Sequence, residues 1–290
     1  MKTRLWLNVA LAAVVVALAL FAYFKPQGGE PEHKLSALKT AEADRIKIEI
    51  AGAAPIEAER VASDWRLTAP VRARADNSQV QRLLGILEAT SKDRLTAGEL
   101  ARFDLNEPHT RLTINRQSFS FGAVNQLSQE QYVLTEDGIY LISLRYGAAL
   151  PTSALQLVSK QLFTADEAPV GFEFKDFKLA QQDGKWQLTP SADAGADDIN
   201  RWVDEWRLAA ALDVQAPSER QPLATIKVQF KNGTDIALAV LQREPALVLA
   251  RSDQPFEYEF SNAAAKRLLA PPAVVNGNTS EANETVDKRR

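Results

Sequence analysis

Cysteine is absent from the 290-residue chain, and histidine occurs only at His33 and His109. The absence of cysteine excludes disulfides, thiolate metal sites, cysteine nucleophiles and attachment of lipid to a thiol. With so little histidine, a histidine-rich metal site or a catalytic pair is not expected. The chain also lacks the motifs G-x-x-x-x-G-K-[ST], G-x-G-x-x-G, H-E-x-x-H and G-x-S-x-G, which mark nucleotide sites, zinc proteases and serine hydrolases. We therefore expect neither a cofactor nor an enzymatic activity.

Long basic runs are also absent from the chain. Lys and Arg number 34 against 37 Asp and Glu, which gives a net charge of −3. A surface that binds nucleic acid usually shows as a basic patch or stripe. We therefore expect no nucleic-acid partner.

A long hydrophobic run is present at residues 5–24, LWLNVALAAVVVALALFAYF. At a rise of about 1.5 Å per residue, this run spans about 30 Å, the thickness of a bilayer core. Lys2 and Arg4 precede it, so the positive-inside rule places residues 1–4 in the cytoplasm. A cleaved signal peptide is the alternative, but its apolar region is usually shorter and ends in a small-x-small site, which AYFKP does not provide. We expect an uncleaved transmembrane anchor in the lipid bilayer, followed by a tether at residues 25–44.

A short phrase occurs twice in the body of the chain, as DWRLTAP at 64–70 and KWQLTP at 185–190. Alternation of apolar and polar residues before each copy predicts strands, and the proline ends the last strand because it cannot donate to a sheet ladder. Each copy is thus predicted to close a three-stranded meander with its tryptophan in the core. The strands are expected at 45–50, 56–61 and 65–68 in the first copy, and at 172–175, 177–180 and from Trp186 in the second.

An amphipathic helix is predicted after each copy of the phrase. Apolar residues recur at i, i+3, i+4 and i+7, which forms the buried stripe of a helix. The predicted N-caps are Asp76, Asn77 or Ser78 in the first helix, and Asp197 with Asp198 in the second. The stripes are Val80, Leu83, Leu84 and Leu87 in the first helix, and Ile199, Trp202, Val203 and Trp206 in the second.

Strands return after each helix, and hairpin turns are predicted at Asp137-Gly138 and Asn232-Gly233. Each half then ends in another apolar-periodic segment that is predicted to be helical. These segments contain Leu155, Val158 and Leu162 in the first half and Leu268 and Leu269 in the second. The strands are expected at 111–115, 118–122, 131–135 and 138–142, and at 225–230, 235–241, 246–250 and 256–260.

Local hairpins with few crossovers indicate an α+β fold of mainly antiparallel sheet with packed helices. The repeated order of elements predicts an internal duplication into two similar modules behind the transmembrane helix. We place the first module at residues 45–166 and the second at 167–270. Residues 271–290 lack hydrophobic periodicity and are predicted to be a disordered tail.

The first half also carries an ordered set of residues that forms a wider pattern. It consists of a W-x-L-x-x-P strand, an Ala-Asp pair opening a helix with a Val-x-x-Leu-Leu stripe, a Phe-x-Leu-x-x-Pro segment, a strand ending in Gly and a strand containing Tyr. These residues are Trp65, Leu67 and Pro70; Ala75 and Asp76; Val80, Leu83 and Leu84; Phe103, Leu105 and Pro108; Gly122; and Tyr132. The pattern resembles the bacterial domain-of-unknown-function family 4340. Asp104 stands where that family usually has Gly, so the turn at this position need not follow the family.

The resemblance covers residues 45–165 well and residues 170–269 more weakly, through the repeat. It implies a membrane-anchored envelope protein, and some similar proteins are accessory proteins encoded with ABC transporters of the gliding-motility type. It assigns no catalytic residue. Together with the anchor, it predicts a bacterial inner-membrane protein with a cytoplasmic N-terminus and the bulk of the chain in the periplasm.

Four residues form a candidate interaction surface, namely Trp202, Trp206, Arg72 and Arg74. If exposed, the two tryptophans would mark a protein interface or a sugar-stacking surface, but their place on the apolar stripe favours burial in the core. Arg72 and Arg74 would suit an anionic partner, although a solvated loop is the simpler interpretation.

Three aspartates, Asp193, Asp197 and Asp198, form the main acidic cluster. They would suit a carboxylate pair or a Ca²⁺ site, but a Ca²⁺ loop needs more oxygen ligands and a closing Glu. Acidic residues at the N-terminus of a helix, where they complement its dipole, are the favoured interpretation. No metal site is predicted.

The function expected from these features is that of a non-enzymatic adaptor or accessory subunit of an envelope complex, with an envelope protein as its partner. The alternative is a module that binds a glycan or lipid in a groove between the two halves. An apolar cleft between the halves would favour the alternative.

Overall fold

The computed structural model describes residues 14–16, 32–190 and 194–272. Most of the predicted anchor, at residues 5–24, lies outside the described residues, as do Asp193 and the predicted tail from residue 273 onwards. Within the described ranges, no helix is long and apolar enough to cross a bilayer.

The described part of the chain is mainly antiparallel sheet with few helices, in agreement with the predicted α+β class. The α-helices are α1 (Asn77–Leu84), α2 (Arg145–Ala148), α3 (Ala196–Arg207) and α4 (Asn262–Leu269), and 3-10 turns lie at Thr40–Glu42, Gly85–Glu88, Leu100–Phe103 and Ala154–Leu157. The strands are β1 (His33–Lys34), β2 (Arg45–Ile50), β3 (Ile56–Val61), β4 (Asp64–Ala69), β5 (Ala73–Arg74), β6 (Thr90–Ser91), β7 (Arg94–Leu95), β8 (Thr110–Ile114), β9 (Gln117–Asn125), β10 (Glu130–Thr135), β11 (Gly138–Ser143), β12 (Pro169–Glu173), β13 (Lys178–Gln182), β14 (Lys185–Thr189), β15 (Asp213–Gln215), β16 (Ala224–Phe230), β17 (Asp235–Gln242), β18 (Leu247–Arg251) and β19 (Glu257–Phe260).

The chain divides into two compact units, and both are discontinuous in sequence. One unit comprises the residues up to Ala43 and Leu84–Gly147, and the other comprises Asp44–Leu83 and the residues from Ala148 onwards. This division differs from the predicted modules at 45–166 and 167–270, whose boundaries stay a prediction.

In the unit that contains Leu84–Gly147, strands β8 to β11 form an antiparallel meander, and β7 pairs with the far side of β11. Strand β1 pairs with β6. The alternation predicted for these strands is present, with Leu112, Ile114 and Phe119 buried. The hairpin predicted at Asp137-Gly138 is shifted by one residue, because Thr135 pairs with Gly138 and the turn consists of Glu136 and Asp137.

The turn after Phe103 accounts for two positions of the family pattern. Asp104 has a φ of +58°, in the left-handed region that Gly adopts most easily and Asp tolerates better than most residues. Leu105, which follows, is buried. A Cβ on Gly122 would lie 2.2 Å from the Phe103 carbonyl oxygen and 2.8 Å from the Leu105 side chain. The turn therefore has the left-handed backbone conformation that the family's Gly adopts easily. Residue 122 must be Gly because its backbone lies so close to the Phe103 carbonyl and the Leu105 side chain.

In the other unit, β2, β3 and β4 form the predicted first meander, and β5 pairs with the outer side of β4. The same unit contains an eight-stranded antiparallel sheet in the order β14-β13-β12-β16-β17-β18-β19-β15. The turn predicted at Asn232-Gly233 is confirmed, since Gly233 has a positive φ, and Asp183 and Gly184, which also have positive φ, form the turn between β13 and β14. The Asn232 side chain accepts a hydrogen bond from the Thr234 N–H at 3.0 Å, as expected of a hairpin turn.

Helix α3 packs its predicted stripe against the eight-stranded sheet. The Trp202 and Trp206 rings lie 4.9 and 5.5 Å from the Phe172 ring of β12, centroid to centroid. Trp206 Nε1 donates to the Leu268 carbonyl at 3.1 Å, and Trp202 Nε1 donates to the Ala270 carbonyl at 2.7 Å. Each indole N–H thus has the partner that a buried Trp requires, and the two bonds tie α3 to the segment around α4.

The two tryptophans of the repeated phrase differ in burial. Trp65 is 2% exposed, as predicted for a core residue. Trp186 was also expected in the core, but it is partly exposed. The strand β5 and the segment after it cover the edge beside Trp65, whereas no described strand pairs with the outer edge of β14.

Of the two predicted helix caps, the first is confirmed and the second is wrong. Helix α1 is capped as expected by Asp76, whose carboxylate accepts from the Ser78 N–H at 2.8 Å. The N-cap of α3 is Gly195, without a side-chain cap, and Asp197 and Asp198 lie in the first turn. There their negative charges interact favourably with the positive end of the helix dipole, but they do not cap the helix.

The apolar segment that closes the first half is not the predicted helix. It forms the short 3-10 turn Ala154–Leu157 and then extends. Val158 makes an antiparallel bridge with Ala75, and the Ser159 N–H donates to the Arg74 carbonyl at 2.8 Å. Pairing with a distant segment therefore replaces the local helical bonds. The helix predicted around Leu268 is present as α4.

Candidate functional site: an arginine-lined groove

The strand pair β4–β5 brings three arginines to one edge. Arg66 on β4 lies directly opposite Arg74 on β5, and Arg72 lies in the connection between the two strands. Like charges on opposed strand positions repel each other. This edge therefore concentrates positive charge at a cost in stability.

The three guanidinium groups differ in how they are held. Arg74 is half-buried, and its Nη2 donates to the Gln161 carbonyl at 2.9 Å. Arg66 and Arg72 are exposed, and neither side chain has a hydrogen bond or ion pair with a described residue. Glu59 lies opposite Arg66 on β3, but its carboxylate lies 3.4 Å from Arg45 Nε. Among the described residues, Arg66 and Arg72 are thus left with open donors.

A buried ion network lies next to these arginines. Arg251, at the end of β18, is 3% exposed. Its Nη1 and Nη2 donate to the two carboxylate oxygens of Glu167 at 2.9 and 2.7 Å. Its Nε and Nη2 donate to the carboxylate of Asp253 at 2.9 and 2.8 Å, and Nη1 also donates to the Leu162 carbonyl. Every polar atom of this buried guanidinium is therefore satisfied, as a buried charge requires.

The network holds both carboxylates in their charged form. Burial alone would raise the pKa of Glu167, but hydrogen bonds from Arg251 and from the Thr164 N–H outweigh burial and lower it. The hydrogen bond from Arg251 lowers the pKa of Asp253 against the smaller effect of burial. A carboxylate of lowered pKa is a weak general base. The network is therefore better suited to hold the shape and charge of the site than to transfer a proton.

Tyr258 and Gln254 extend the network on the side of β19. The Tyr258 hydroxyl donates to Gln254 Oε1. Burial raises the pKa of Tyr258, although the positive charges of Arg74 and Arg251 oppose this effect. Tyr258 therefore stays protonated at neutral pH and acts as a donor that orients the Gln254 amide.

The three arginines of β4 and β5, the ion network and Gln254 line a groove of about 550 Å³, which we call the arginine groove. Its lining comes from both predicted modules, since β3 to β5 belong to the first and β18 to the second. Four of the lining side chains are arginines, and the two that are unpaired are also the most exposed. The lining residues are Glu59, Val61, Arg66, Leu67, Thr68, Arg72, Ala73, Arg74, Thr164, Glu167, Arg251, Asp253 and Gln254. A guanidinium fork pairs with carboxylate or phosphate in two-point geometry, so the groove has the chemistry of an anion-binding surface.

A second groove, of about 650 Å³, runs along α3 and α4. Its charges are largely satisfied within the groove itself. Arg267 Nε lies 3.0 Å from Glu205, and Arg207 Nη2, beside the groove, lies 3.3 Å from Asp204. Because the unpaired arginines lie elsewhere, the arginine groove is the stronger candidate.

The structure separates the four residues of the predicted interaction surface. Arg72 and Arg74 lie together in the arginine groove. Trp202 and Trp206 are 6% and 0% exposed and form the core between α3 and the eight-stranded sheet, so they present no surface to a partner. The favoured interpretation of the tryptophans as core residues is the one that the structure shows.

The acidic cluster does not form a metal site in the described part of the chain, where no group of three potential ligands converges. Asp193 lies outside the described residues. Asp198 is instead 3.3 Å from Arg201, one turn along α3. This pairing is that of an ordinary solvated helix face.

Sequence reasoning missed the buried half of the groove. Arg251 and Glu167 are 84 positions apart in the chain, and no local periodicity links such residues. The strand predicted at 246–250 ends just before Arg251, so sequence reasoning assigned this residue no role. Arg66 lies within the repeated phrase, and its alternation with the buried Trp65 and Leu67 was the one available sign that it faces outward.

Comparison with known proteins gives one match. A model of the family described as Domain of unknown function (DUF4340) matches residues 65–229. The match begins at Trp65 and includes Arg66, Arg72, Arg74 and Glu167 of the groove. No curated protein and no solved structure shows significant similarity to the chain.

Proposed function

The chain belongs to the family of domain of unknown function DUF4340, whose model covers more than half of it, and on that premise we propose that it is a non-enzymatic adaptor. It serves as an accessory subunit of a bacterial envelope complex, such as an ABC transporter. Residues 5–24 anchor it in the inner membrane, with the N-terminus in the cytoplasm and the bulk of the chain in the periplasm. The arginine groove binds an anionic segment of the partner protein.

The observation that carries this proposal is the pair of open guanidinium groups at Arg66 and Arg72. Both are exposed and have no ionic partner among the residues of known position. Beside them, Arg251 and its two carboxylates form a closed network that holds the groove in place. An acidic segment would pair its carboxylates with the open arginines without displacing a bond that the fold already makes.

The order of the elements supports an internal duplication as part of the same proposal. In each half, a three-stranded meander is followed by a helix, a short strand and a four-stranded meander. In each half, the short strand pairs with the last strand of the four-stranded meander. The corresponding elements are β2 to β4, α1, β7 and β8 to β11 in the first half, and β12 to β14, α3, β15 and β16 to β19 in the second.

The chemistry of the groove favours a charged protein segment over a neutral glycan or a lipid tail. Apolar walls and few polar groups are typical of sites for small apolar ligands. The arginine groove instead has seven charged side chains among its lining residues. An anionic segment would pair with the two open arginines, Arg66 and Arg72, whereas an apolar ligand would cover them without compensation.

Co-purification of the full-length chain from bacterial membranes in mild detergent tests the proposal. We expect a stoichiometric envelope partner with the wild type and its loss with Arg66→Glu combined with Arg72→Glu. The matched control is Arg116→Glu combined with Arg243→Glu, since both of these arginines are also exposed and have no partner among the described side chains. Equal loss of the partner in both double variants would show that the net charge matters and the groove does not.

The topology is tested separately, by a reporter enzyme fused after residue 270. We expect the reporter to be active only when it is one that requires the periplasm. Activity of a reporter that requires the cytoplasm would contradict the proposed orientation.

A further inference from the structure

A smaller cavity adjoins the arginine groove and shares one wall with it. Its volume is about 270 Å³, and we call it the side pocket. The shared wall consists of Arg66, Arg74 and Thr164, which line both cavities. The guanidinium of Arg74 is fixed by its hydrogen bond to the Gln161 carbonyl, whereas that of Arg66 has no partner among the described residues. A ligand held by Arg66 therefore borders both cavities.

The side pocket differs from the groove in the sign of its open charge. Away from the shared wall, its described lining contains no arginine or lysine and has two carboxylates, those of Asp64 and Asp166. The Asp64 carboxylate accepts a hydrogen bond from Asn77 Nδ2 at 2.9 Å. Asp166 is exposed, and its carboxylate has no hydrogen bond or ion pair with a described residue. Asp166 is therefore an open anion next to the open cations Arg66 and Arg72.

The floor of the side pocket is apolar. Two of its lining residues are aromatic, Trp65 and Phe163, and they are 2% and 3% exposed. The Trp65 N–H donates to Asn77 Oδ1 at 3.1 Å, and the same amide group donates to Asp64, so Asn77 holds one side of the pocket in place. An apolar floor beside a carboxylate suits a long basic side chain, whose aliphatic stem packs on apolar surface while its charge stays at the rim.

We propose that the partner segment bound in the arginine groove is bipolar, with a basic residue close to its acidic residues. The inference rests on the proposed function and names the chemistry of the segment that the groove receives. The acidic residues pair with Arg66 and Arg72, and the basic residue enters the side pocket and pairs with Asp166. Each of the three open charges then has a counter-charge, so that binding covers none of them without compensation.

Replacement of Asp166 by lysine separates a bipolar partner from a purely acidic one. The change breaks no bond that Asp166 makes with a described residue. A lysine beside Arg66 would strengthen the binding of a purely acidic segment, because it adds an attractive charge. The same lysine weakens the binding of a bipolar segment, because repulsion of the basic residue replaces attraction. The two kinds of partner therefore give effects of opposite sign.

Two dye-labelled peptides test the inference on the full-length chain in mild detergent, with fluorescence anisotropy as the measurement. The bipolar peptide has two glutamates, a Gly-Ser-Gly spacer and two lysines, and the acidic peptide has glutamates in place of the lysines. The flexible spacer lets both ends reach their sites without a fixed geometry. We expect the wild type to bind the bipolar peptide at least about five times more tightly than the acidic one, since Asp166 attracts lysine and repels glutamate.

The variant Asp166→Lys should reverse this preference, so that the acidic peptide binds more tightly. The matched control is Asp176→Lys in the connection between β12 and β13, which should keep the preference of the wild type. Asp176 is also exposed, has no partner among the described side chains and lines neither cavity. Thermal unfolding of both variants verifies the fold. Equal or tighter binding of the acidic peptide by the wild type overturns the inference, as does an unchanged preference in Asp166→Lys or no binding of the bipolar peptide.

The arginine variant distinguishes failure of this inference from failure of the proposed function. If the wild type prefers the acidic peptide and Arg66→Glu combined with Arg72→Glu abolishes its binding, the groove binds anions as proposed and only the bipolar character is wrong. If the binding of both peptides is the same with and without the two arginines, the proposed function fails together with the inference.

Discussion

Replacement of Arg251 by methionine removes the charge from a buried network and leaves two carboxylates without their partner. We expect the free energy of unfolding to fall by about 3 kcal/mol, since the loss of one member of a buried ion pair typically costs about 3–5 kcal/mol. The lower end of that range applies here because one of the two carboxylates keeps its contact with water. The side chain of Asp253 is 45% exposed, against 18% for Glu167.

The measurement is urea denaturation of wild type and variant at neutral pH, with the midpoint and slope fitted together. The matched control is Arg207→Met, which breaks the pair with Asp204 on the surface of α3, where both side chains are more than half exposed. Exposed pairs contribute less than about 1 kcal/mol. A double-mutant cycle of Arg251→Met with Glu167→Gln should give a coupling energy above about 1 kcal/mol. If Arg251→Met costs no more than Arg207→Met, the network does not hold the groove as we describe.

Three further predictions concern pH, the core and the turn beside Gly122. The folded pKa of Glu167 lies below its ordinary value of 4.5, so its contribution to stability is present above pH 4.5 and is lost as the pH falls towards the folded pKa. The unfolding midpoint should therefore fall less steeply with decreasing pH in Glu167→Gln than in the wild type. Trp206→Ala should cost about 3–5 kcal/mol because the ring is fully buried, whereas Trp186→Ala should cost about 1–2 kcal/mol because that ring is partly exposed; similar costs in thermal unfolding would contradict the assigned burial. Gly122→Ala should cost about 1–3 kcal/mol through its clash with the Phe103 carbonyl, whereas Asp104→Gly should be neutral or stabilise by up to about 1 kcal/mol; a stabilising Gly122→Ala would refute the close approach.

Local periodicity predicted most of the strands and the two main helices. Strands β2 and β3 have the predicted bounds, and the stripes of α1 and α3 are buried as expected. These features follow from side-chain alternation within one element, which the linear sequence displays. The segment after Ala154 departs from prediction because Val158 bridges to the distant Ala75, a contact that no local pattern encodes.

The candidate site likewise depends on contacts between residues that are far apart in the sequence. Two nearly identical phrases gave no sign that Trp65 would be buried and Trp186 partly exposed, because the strand β5 that covers the edge beside Trp65 lies outside the repeated phrase. The prediction of Arg72 and Arg74 as a surface for an anionic partner came from their charge alone. Their grouping with Arg66 follows from the register of β4 and β5, and their proximity to Arg251 follows from tertiary packing.

The central claim is that the partner binds at the arginine groove. Site-specific photo-crosslinking in intact membranes tests it most directly, with the crosslinking residue at Thr68, which lines the groove, and at Leu127, which is 97% exposed on another surface. We predict an adduct with one envelope protein from position 68, its loss when Arg66→Glu and Arg72→Glu are added, and no such adduct from position 127. The same adduct from both positions, or an adduct from position 68 that survives the charge reversal, would contradict the account.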